Sequence, residues 1–166
     1  MTERDVTSKL LKIAEDGNKQ TITGLLNSGA DIQAKSKDGS TPLHIAAYYE
    51  NTDGIQTLLG AGADIQALSK DGSTPLHDAG VENGTGGSVT LLLSAGANIE
   101  TRTREGATPL HRAAAYGTPG AITALLKAGA NGKAKDKNGK TPFDLAKDNE
   151  QLKGTEAYWL LNEAQY

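Results

Sequence analysis

The sequence contains no cysteine, few aromatic residues and no long apolar run. Without cysteine, neither a disulfide framework nor a thiolate metal site can form. One Trp, one Phe and five Tyr in 166 residues leave Leu, Ile and Ala to build most of the core. Nowhere do roughly 18 apolar residues follow one another, so no membrane-spanning helix is predicted. Charged residues recur throughout residues 1–16, which argues against a secretory signal peptide.

The length and the charge of the chain narrow the possible classes of protein further. A chain of 166 residues is about the size of one domain. Its hydrophobic fraction of 37%, together with 20 glycines, is ordinary for a globular protein, so intrinsic disorder is not expected. A formal net charge of -3 argues against a protein whose main role is to bind the phosphate backbone of nucleic acid.

An internal repeat is the main signal in the sequence. The tetrapeptide Thr-Pro-Leu-His begins at Thr41, Thr74 and Thr108, and a variant, Thr-Pro-Phe-Asp, begins at Thr141, in steps of 33, 34 and 33 residues. A second landmark, Gly-Ala-Asp or Gly-Ala-Asn, recurs with the same steps and starts at residues 29, 62, 96 and 129. Two landmarks in register exclude coincidence and predict repeated structural units.

Each unit is predicted to be a helix, a turn, a second helix and a hairpin. Threonine can cap a helix whose first residue is proline, so Thr-Pro starts the first helix. The spacing of Ile55, Leu58 and Leu59 is typical of a second helix, which Gly62 ends by adopting a left-handed conformation. Lys-Asp-Gly at residues 37–39 favours a tight turn. Because such short helices are marginal alone, the units must stack to form one core.

These landmarks resemble the ankyrin repeat, whose period is about 33 and whose first helix opens with T-P-L-H-x-A. The resemblance implies an all-α solenoid of stacked helix-turn-helix units with β-hairpin or loop tips, in a single domain. It divides the chain into an N-terminal cap repeat at 1–35, full repeats at 36–68, 69–102 and 103–135, and a C-terminal cap repeat at 136–166. Residues 158–161 are expected to seal the last stack.

The chain departs from the family pattern in two places. The family's hairpin asparagine is replaced by Gln33, Gln66, Glu100 and Lys133, which puts in doubt the usual side-chain brace of that turn. The middle repeat has one extra residue, Gly80 in place of a small alanine and a glycine-rich turn at 83–88. We therefore expect a shortened first helix and a mobile bulge in that repeat.

By resemblance, the function is that of a monomeric, non-enzymatic module, with no cofactor or metal, that binds an unidentified protein along a concave strip. The strip combines the hairpin tips with the exposed ends of the first helices, and its predicted residues are Lys37, Asp38, Ser40, Tyr48, Tyr49, Lys70, Asp71, Ser73, Val81, Glu82, Arg104, Glu105, Ala107, Ala115 and Tyr116. The tyrosines are the main candidates, because exposed tyrosine is common at binding hot spots. The alternative is that one tyrosine of each group merely covers the turn between the helices.

The chain also resembles small ankyrin proteins of bacteria, through its size and its residues 156–159. That group includes host-directed effectors and intracellular regulators. We expect a cytoplasmic protein, or one delivered into a host cell by a route other than general secretion, with no membrane or nucleic-acid partner.

The only histidines, His44, His77 and His111, could suggest a metal or catalytic site. Equivalent positions in stacked units lie about 8–10 Å apart, however, whereas metal ligands must converge on an ion about 2 Å away. The resemblance instead implies that each histidine ties a hairpin turn to a helix start. A rival hypothesis is a hydrolase or small-ligand binder that uses His77, Asp78 and the glycine-rich turn at 84–88.

Basic residues cluster towards the C-terminus: residues 101–166 carry a net charge of +3, against -6 for residues 1–100. A basic edge spanning 102–140 could bind nucleic acid, a membrane surface or an acidic partner. The simpler interpretation is a solvated face on which acidic residues are interspersed. The edge comprises Arg102, Arg104, Arg112, Lys127, Lys133, Lys135, Lys137 and Lys140.

Overall fold

The structure, a computed structural model, describes residues 2–79, 81 and 84–166. These residues form ten α-helices and no β-strand, which confirms the all-α prediction. The helices are α1 (Glu3–Ile13), α2 (Lys19–Asn27), α3 (Pro42–Tyr48), α4 (Thr52–Gly60), α5 (Pro75–Asp78), α6 (Gly87–Ser94), α7 (Pro109–Tyr116), α8 (Pro119–Lys127), α9 (Pro142–Ala146) and α10 (Glu156–Ala164). Two helices fall within each of the five predicted units.

The Thr-Pro landmarks start the first helices as expected. Thr41, Thr74, Thr108 and Thr141 adopt extended N-cap conformations, and the proline that follows each is at the start of α3, α5, α7 and α9. Proline costs nothing there because the first helical N–H groups have no partner within the helix.

The helix pairs stack into two layers. First helices contact first helices in the order α1, α3, α5, α7 and α9, and second helices contact second helices from α2 to α10. The same apolar position of each unit enters one continuous core, as with the fully buried Leu43, Leu76 and Leu110. Each unit therefore buries its apolar surface against its neighbours, which explains why so few aromatic residues suffice.

Backbone hydrogen bonds link the hairpin tips into a row. The N–H groups of Lys70 and Arg104 donate to the carbonyls of Asp38 and Asp71 at 2.9 Å, and Lys137 donates to Glu105 at 3.0 Å. The row holds neighbouring tips in a constant register, although no strand is assigned within the described residues.

The hairpin turns are braced without the family's asparagine. The side-chain oxygen of the Asp or Asn at 31, 64, 98 and 131 accepts the N–H two residues later, at 2.8–2.9 Å. The donors are the residues that replace that asparagine, namely Gln33, Gln66, Glu100 and Lys133. A different side chain therefore supplies the brace that the sequence put in doubt.

The middle repeat has the shortened first helix that its sequence predicts. Helix α5 has only 4 residues, and its C-cap Ala79 is already extended, with ψ 125°. Of the expected bulge, Gly80, Glu82 and Asn83 lie outside the described residues.

The end of the chain differs in part from expectation. Leu161 is fully buried, and the ring of Tyr158 packs 5.1 Å from that of Phe143, so both help to close the stack. The expectation was wrong for Trp159, which is 57% exposed because α10 has solvent on one side. None of the helices in the described part of the chain has the length and apolar character needed to cross a bilayer.

Candidate functional site

The tips and first helices line two neighbouring grooves on one face of the stack. The proximal groove, about 570 Å³ in volume, brings together seven residues predicted from sequence: Asp38, Ser40, Tyr48, Tyr49, Lys70, Asp71 and Ser73. The distal groove, about 600 Å³, brings together Lys70, Asp71, Arg104, Glu105, Ala107, Ala115 and Tyr116. Both volumes are in the range of ligand pockets, about 300–1,000 Å³.

Two predicted residues that the structure describes lie outside these two grooves. Lys37 lines a third groove, on the other side of the tips, and Val81 lines none of the three. Glu82 is outside the described residues. Ser73 borders the proximal groove, but it is only 1% exposed, because its carbonyl and hydroxyl are engaged by neighbouring side chains.

The tyrosines differ in what they offer to a partner. Tyr116 is 68% exposed at the end of α7, and Tyr49 is 42% exposed just after α3. Tyr48 is half-buried, and its ring packs edge-on against that of Tyr49 at 5.0 Å. The exposed rings therefore lie at the rims of both grooves, while Tyr48 supports its neighbour.

An arginine bridges two aspartates where the grooves meet. Arg112 on α7 lies 3.3 Å from the carboxylate of Asp71 through Nη1, and 3.2 Å from that of Asp78 through Nη2. Asp78 and Arg112 both directly follow the repeat histidine, so stacking places them side by side. That equivalence was visible in the sequence, although sequence reasoning assigned the two residues to separate hypotheses.

The two aspartates differ in their electrostatics. Burial raises the pKa of Asp78 to about 7, although the charge of Arg112 acts in the opposite direction. Burial also raises the pKa of Asp71, but hydrogen bonds from Ser69 and Ser73 and the charge of Arg112 outweigh it and hold that pKa at about 2. One guanidinium therefore compensates the exposed tip carboxylate better than the buried one.

The histidines are structural links between units. In His77, Nδ1 accepts the N–H of Thr74 at 3.1 Å and Nε2 donates to the carbonyl of Ala107 at 3.1 Å. His44 and His111 make the same pair of bonds, to the carbonyls of Ser73 and Lys140. Each therefore joins its own helix start to the hairpin of the next unit.

These bonds speak against the hydrolase hypothesis. Both nitrogens of His77 are engaged, and burial lowers its pKa to about 4, so no lone pair is left to accept a proton. Asp78, the proposed companion, is turned to Arg112. In the described part of the chain, no group of His, Asp and Glu is arranged to hold a metal ion.

The glycine-rich turn is filled by a side chain of the preceding repeat. Glu50 Oε1 accepts from the N–H of Thr85 at 2.8 Å, the hydroxyl of Thr85 at 2.6 Å and the N–H of Gly87 at 2.9 Å. Helix α6 thus begins over an internal carboxylate, which occupies two N–H groups and one hydroxyl of the turn, close to where a phosphate would bind at a helix start. Sequence reasoning missed Glu50, whose left-handed φ of 58° had no local signal.

Two glycines allow this turn to pack closely on the next unit. A side chain at Gly120 would place its first carbon 2.5 Å from the backbone of Thr85, and one at Gly86 would lie 2.6 Å from the carbonyl of Gly120. Gly86 of the turn and Gly120 of α8 therefore serve the packing of α6 against α8.

The predicted basic edge does not form a single patch. Arg112 lies in the concave grooves, Lys127 is on the second helix α8, and Lys133 donates to the carbonyl of Tyr166. Arg102 lines the third groove, behind the tips, and Arg104 lines both that groove and the distal concave one. The edge is therefore divided among several surfaces.

Models of known protein families match most of the chain. Residues 10–103 match a model described as ankyrin repeats (3 copies), and residues 92–146 match one described as ankyrin repeats (many copies). A comparison with curated proteins finds no match. Together the matched ranges run from within α1 to the end of α9, and they include all the described residues that line the two concave grooves.

Proposed function

Because the chain belongs to the ankyrin-repeat family, whose repeats generally mediate protein-protein interactions, we propose that it binds a partner protein along the two concave grooves. The single observation that carries this proposal is that the two concave grooves are continuous with each other. Lys70, Asp71 and Arg112 line both grooves, so the surface runs without a break across the tips of the three full repeats.

The physical properties of this surface suit a protein partner. The tips are held by the backbone row at Lys70, Arg104 and Lys137, so little conformational entropy is lost when they are contacted. The exposed rings of Tyr49 and Tyr116 add rigid, amphipathic area near the two ends. Ankyrin repeats are typically non-enzymatic, and we propose that the chain acts by binding alone, as a monomer with the five units described above.

The cellular location of the protein is also part of this proposal. We propose a cytoplasmic regulator or a host-directed effector, since both roles are found among the small ankyrin proteins that the chain resembles.

The proposal is tested by removing the two exposed rings together with the half-buried ring of Tyr48, which packs against Tyr49. A variant with Tyr48→Ala, Tyr49→Ala and Tyr116→Ala should lose the partners that the wild-type chain captures from lysate, identified by mass spectrometry. The matched control is Trp159→Ala with Tyr166→Ala, which removes exposed rings outside the grooves and should leave capture unchanged. Thermal melting of all three proteins separates lost binding from lost folding. Undiminished capture by the tyrosine variant would contradict the proposal.

A further inference from the structure

Four cationic residues occupy the same position in four successive hairpin tips. They are Lys37, Lys70, Arg104 and Lys137, named here the cationic row, and all four are exposed. Their spacing along the chain follows the repeat, so each lies about one unit, roughly 8–10 Å, from the next. Sequence reasoning placed the first three on the concave strip and the fourth on the basic edge, and did not recognise them as one row.

The backbone and three glycines hold the row in place. Lys70, Arg104 and Lys137 each donate their N–H to the preceding tip, at 2.9–3.0 Å. The stem of Lys70 lies over Gly39, where a side-chain carbon would be only 3.3 Å from its Cγ, and Arg104 and Lys137 lie in the same way over the glycines of their preceding tips. The cations are therefore aligned by the fold rather than scattered over it.

The groove behind the tips is lined by positive charge only. Its volume is about 740 Å³, and its charged lining residues are Lys35, Lys37, Lys70, Arg102 and Arg104, with no Asp or Glu among the lining residues that the structure describes. The acidic residue that follows each of the first three members of the row lines a concave groove instead. In these three tips the carboxylate thus lines only the concave side, whereas the cations Lys70 and Arg104 reach both sides and the groove behind has only basic residues among its charged lining residues that the structure describes.

Little of this positive charge is neutralised within the protein. Lys35 and Arg102 donate to backbone carbonyls, which leaves their charge uncompensated. Lys37, Lys70 and Arg104 form no ion pair with any described residue. Such a groove attracts carboxylates or phosphates, because a row of unpaired cations raises the local potential.

An exposed leucine lies in the same groove and indicates which kind of anionic partner fits it. Leu68 is 50% exposed and stands where the neighbouring repeats have Lys35 and Arg102. An apolar residue among cations suits a protein segment that carries both carboxylates and an apolar side chain, whereas a phosphate backbone makes no use of it. The net charge of -3 also disfavours a nucleic acid.

We propose that the groove behind the tips is a second docking surface, which binds an acidic protein segment whose carboxylates pair with Lys37, Lys70 and Arg104 of the cationic row and whose apolar side chain rests on Leu68. This surface adjoins the concave grooves: it shares Lys70 with both of them and Arg104 with the distal one, whereas Lys37, Leu68 and Arg102 line it alone. The two surfaces allow the chain to join one partner on the concave face to another behind the tips.

The test uses a fluorescein-labelled peptide in which a central leucine is flanked by runs of glutamate, measured by fluorescence anisotropy on the full chain. The same peptide with serine in place of leucine is the second probe, and a single-stranded oligonucleotide and phosphatidylserine vesicles are the third and fourth. The leucine peptide should bind best, and Lys37→Gln, Lys70→Gln and Arg104→Gln together should weaken it about tenfold. Leu68→Ser should abolish the preference for leucine over serine.

The control variant carries Lys9→Gln, Lys12→Gln and Lys127→Gln, which removes the same charge from exposed sites elsewhere and should leave binding unchanged. The tyrosine variant described above should also bind the peptide normally, so this proposal and the concave one fail separately. The proposal would be overturned if the two triple variants weakened binding equally, or if the leucine peptide did not bind at all. Preferential binding of the oligonucleotide or the vesicles would overturn the proposal, because the groove would then favour a phosphate-bearing partner over an acidic protein segment.

Discussion

Replacing Asp78 with asparagine should stabilise the protein, by an amount that grows as the pH rises from 5 to 8. Asp78 is only 6% exposed, and its pKa is raised to about 7 from an ordinary 3.8. The folded state therefore binds a proton more tightly than the unfolded state, and stability falls as the pH rises from about 4 to about 7. A difference of about 3 pKa values corresponds to about 4 kcal/mol once both states are ionised.

Asparagine has almost the same shape as aspartate and no charge to bury. Its gain over wild type should be about 2 kcal/mol at pH 5 and about 4 kcal/mol above pH 7. The charged groups that act on Asp78 are Arg112, Asp71 and Asp38, and none of them is altered by the substitution. The remaining pairing of Arg112 with Asp71 keeps the guanidinium compensated.

The difference between the two proteins is the quantity to measure, because the histidines act in the same range of pH. Burial lowers the pKa of His44, His77 and His111, so their effect on stability rises with pH up to about 6.5, opposite in sign to that of Asp78. Both proteins contain these histidines, so their contribution cancels in the difference.

The free energy of unfolding is obtained from urea titrations followed by circular dichroism at pH 5, 6, 7 and 8. Asp53→Asn, an exposed aspartate on α4, is the control and should show no pH-dependent gain. A gain for Asp78→Asn that is constant over this range, or a loss at pH 8, would refute the reasoning that burial dominates the ionisation of Asp78.

Two further predictions concern the packing of the glycine-rich turn. Glu50→Ala removes the acceptor of three hydrogen bonds and should lower the free energy of unfolding by about 1–2 kcal/mol. Glu50→Gln keeps one side-chain oxygen and should lower the free energy of unfolding by less. Equal stability of Glu50→Ala and wild type in urea would contradict this role. Gly120→Ala should destabilise by about 1–3 kcal/mol because the new carbon meets backbone, whereas Gly24→Ala, in open space on α2, should stabilise by about 0.5–1 kcal/mol. A Gly120→Ala variant that melts at or above the temperature of the wild type would show that the contact at Gly120 is not tight.

Much of the fold could be predicted because each repeat carries its own local chemistry. Thr-Pro marks the helix starts at Thr41, Thr74 and Thr108, and the glycine after each second helix marks its end, whatever the neighbouring repeats contain. The shortened α5 was predictable for the same reason, since an insertion and a glycine are local features. The concave strip followed from the resemblance, and most of its predicted residues do line the two grooves.

The rest could not be predicted because it depends on side chains that meet across units. Glu50 caps a turn that lies 35 residues further along the chain, and nothing near it indicates that role. Arg112 lies 41 residues from Asp71, and the two meet only because stacking brings a tip beside a first helix. Trp159 was misjudged because exposure at the end of a stack depends on what covers it.

The amino-acid sequence alone therefore determined the helix starts at the Thr-Pro landmarks and the stacked all-helical architecture, because a helix cap or a turn depends on residues within a few positions. Only the tertiary structure decided which charges share a surface. Lysine and aspartate are neighbours in each Lys-Asp-Gly tip, yet the carboxylate lines the concave face and a wholly basic groove lies behind. That separation exists only when the tips are hydrogen-bonded in register, since the register decides which side of the row each side chain occupies.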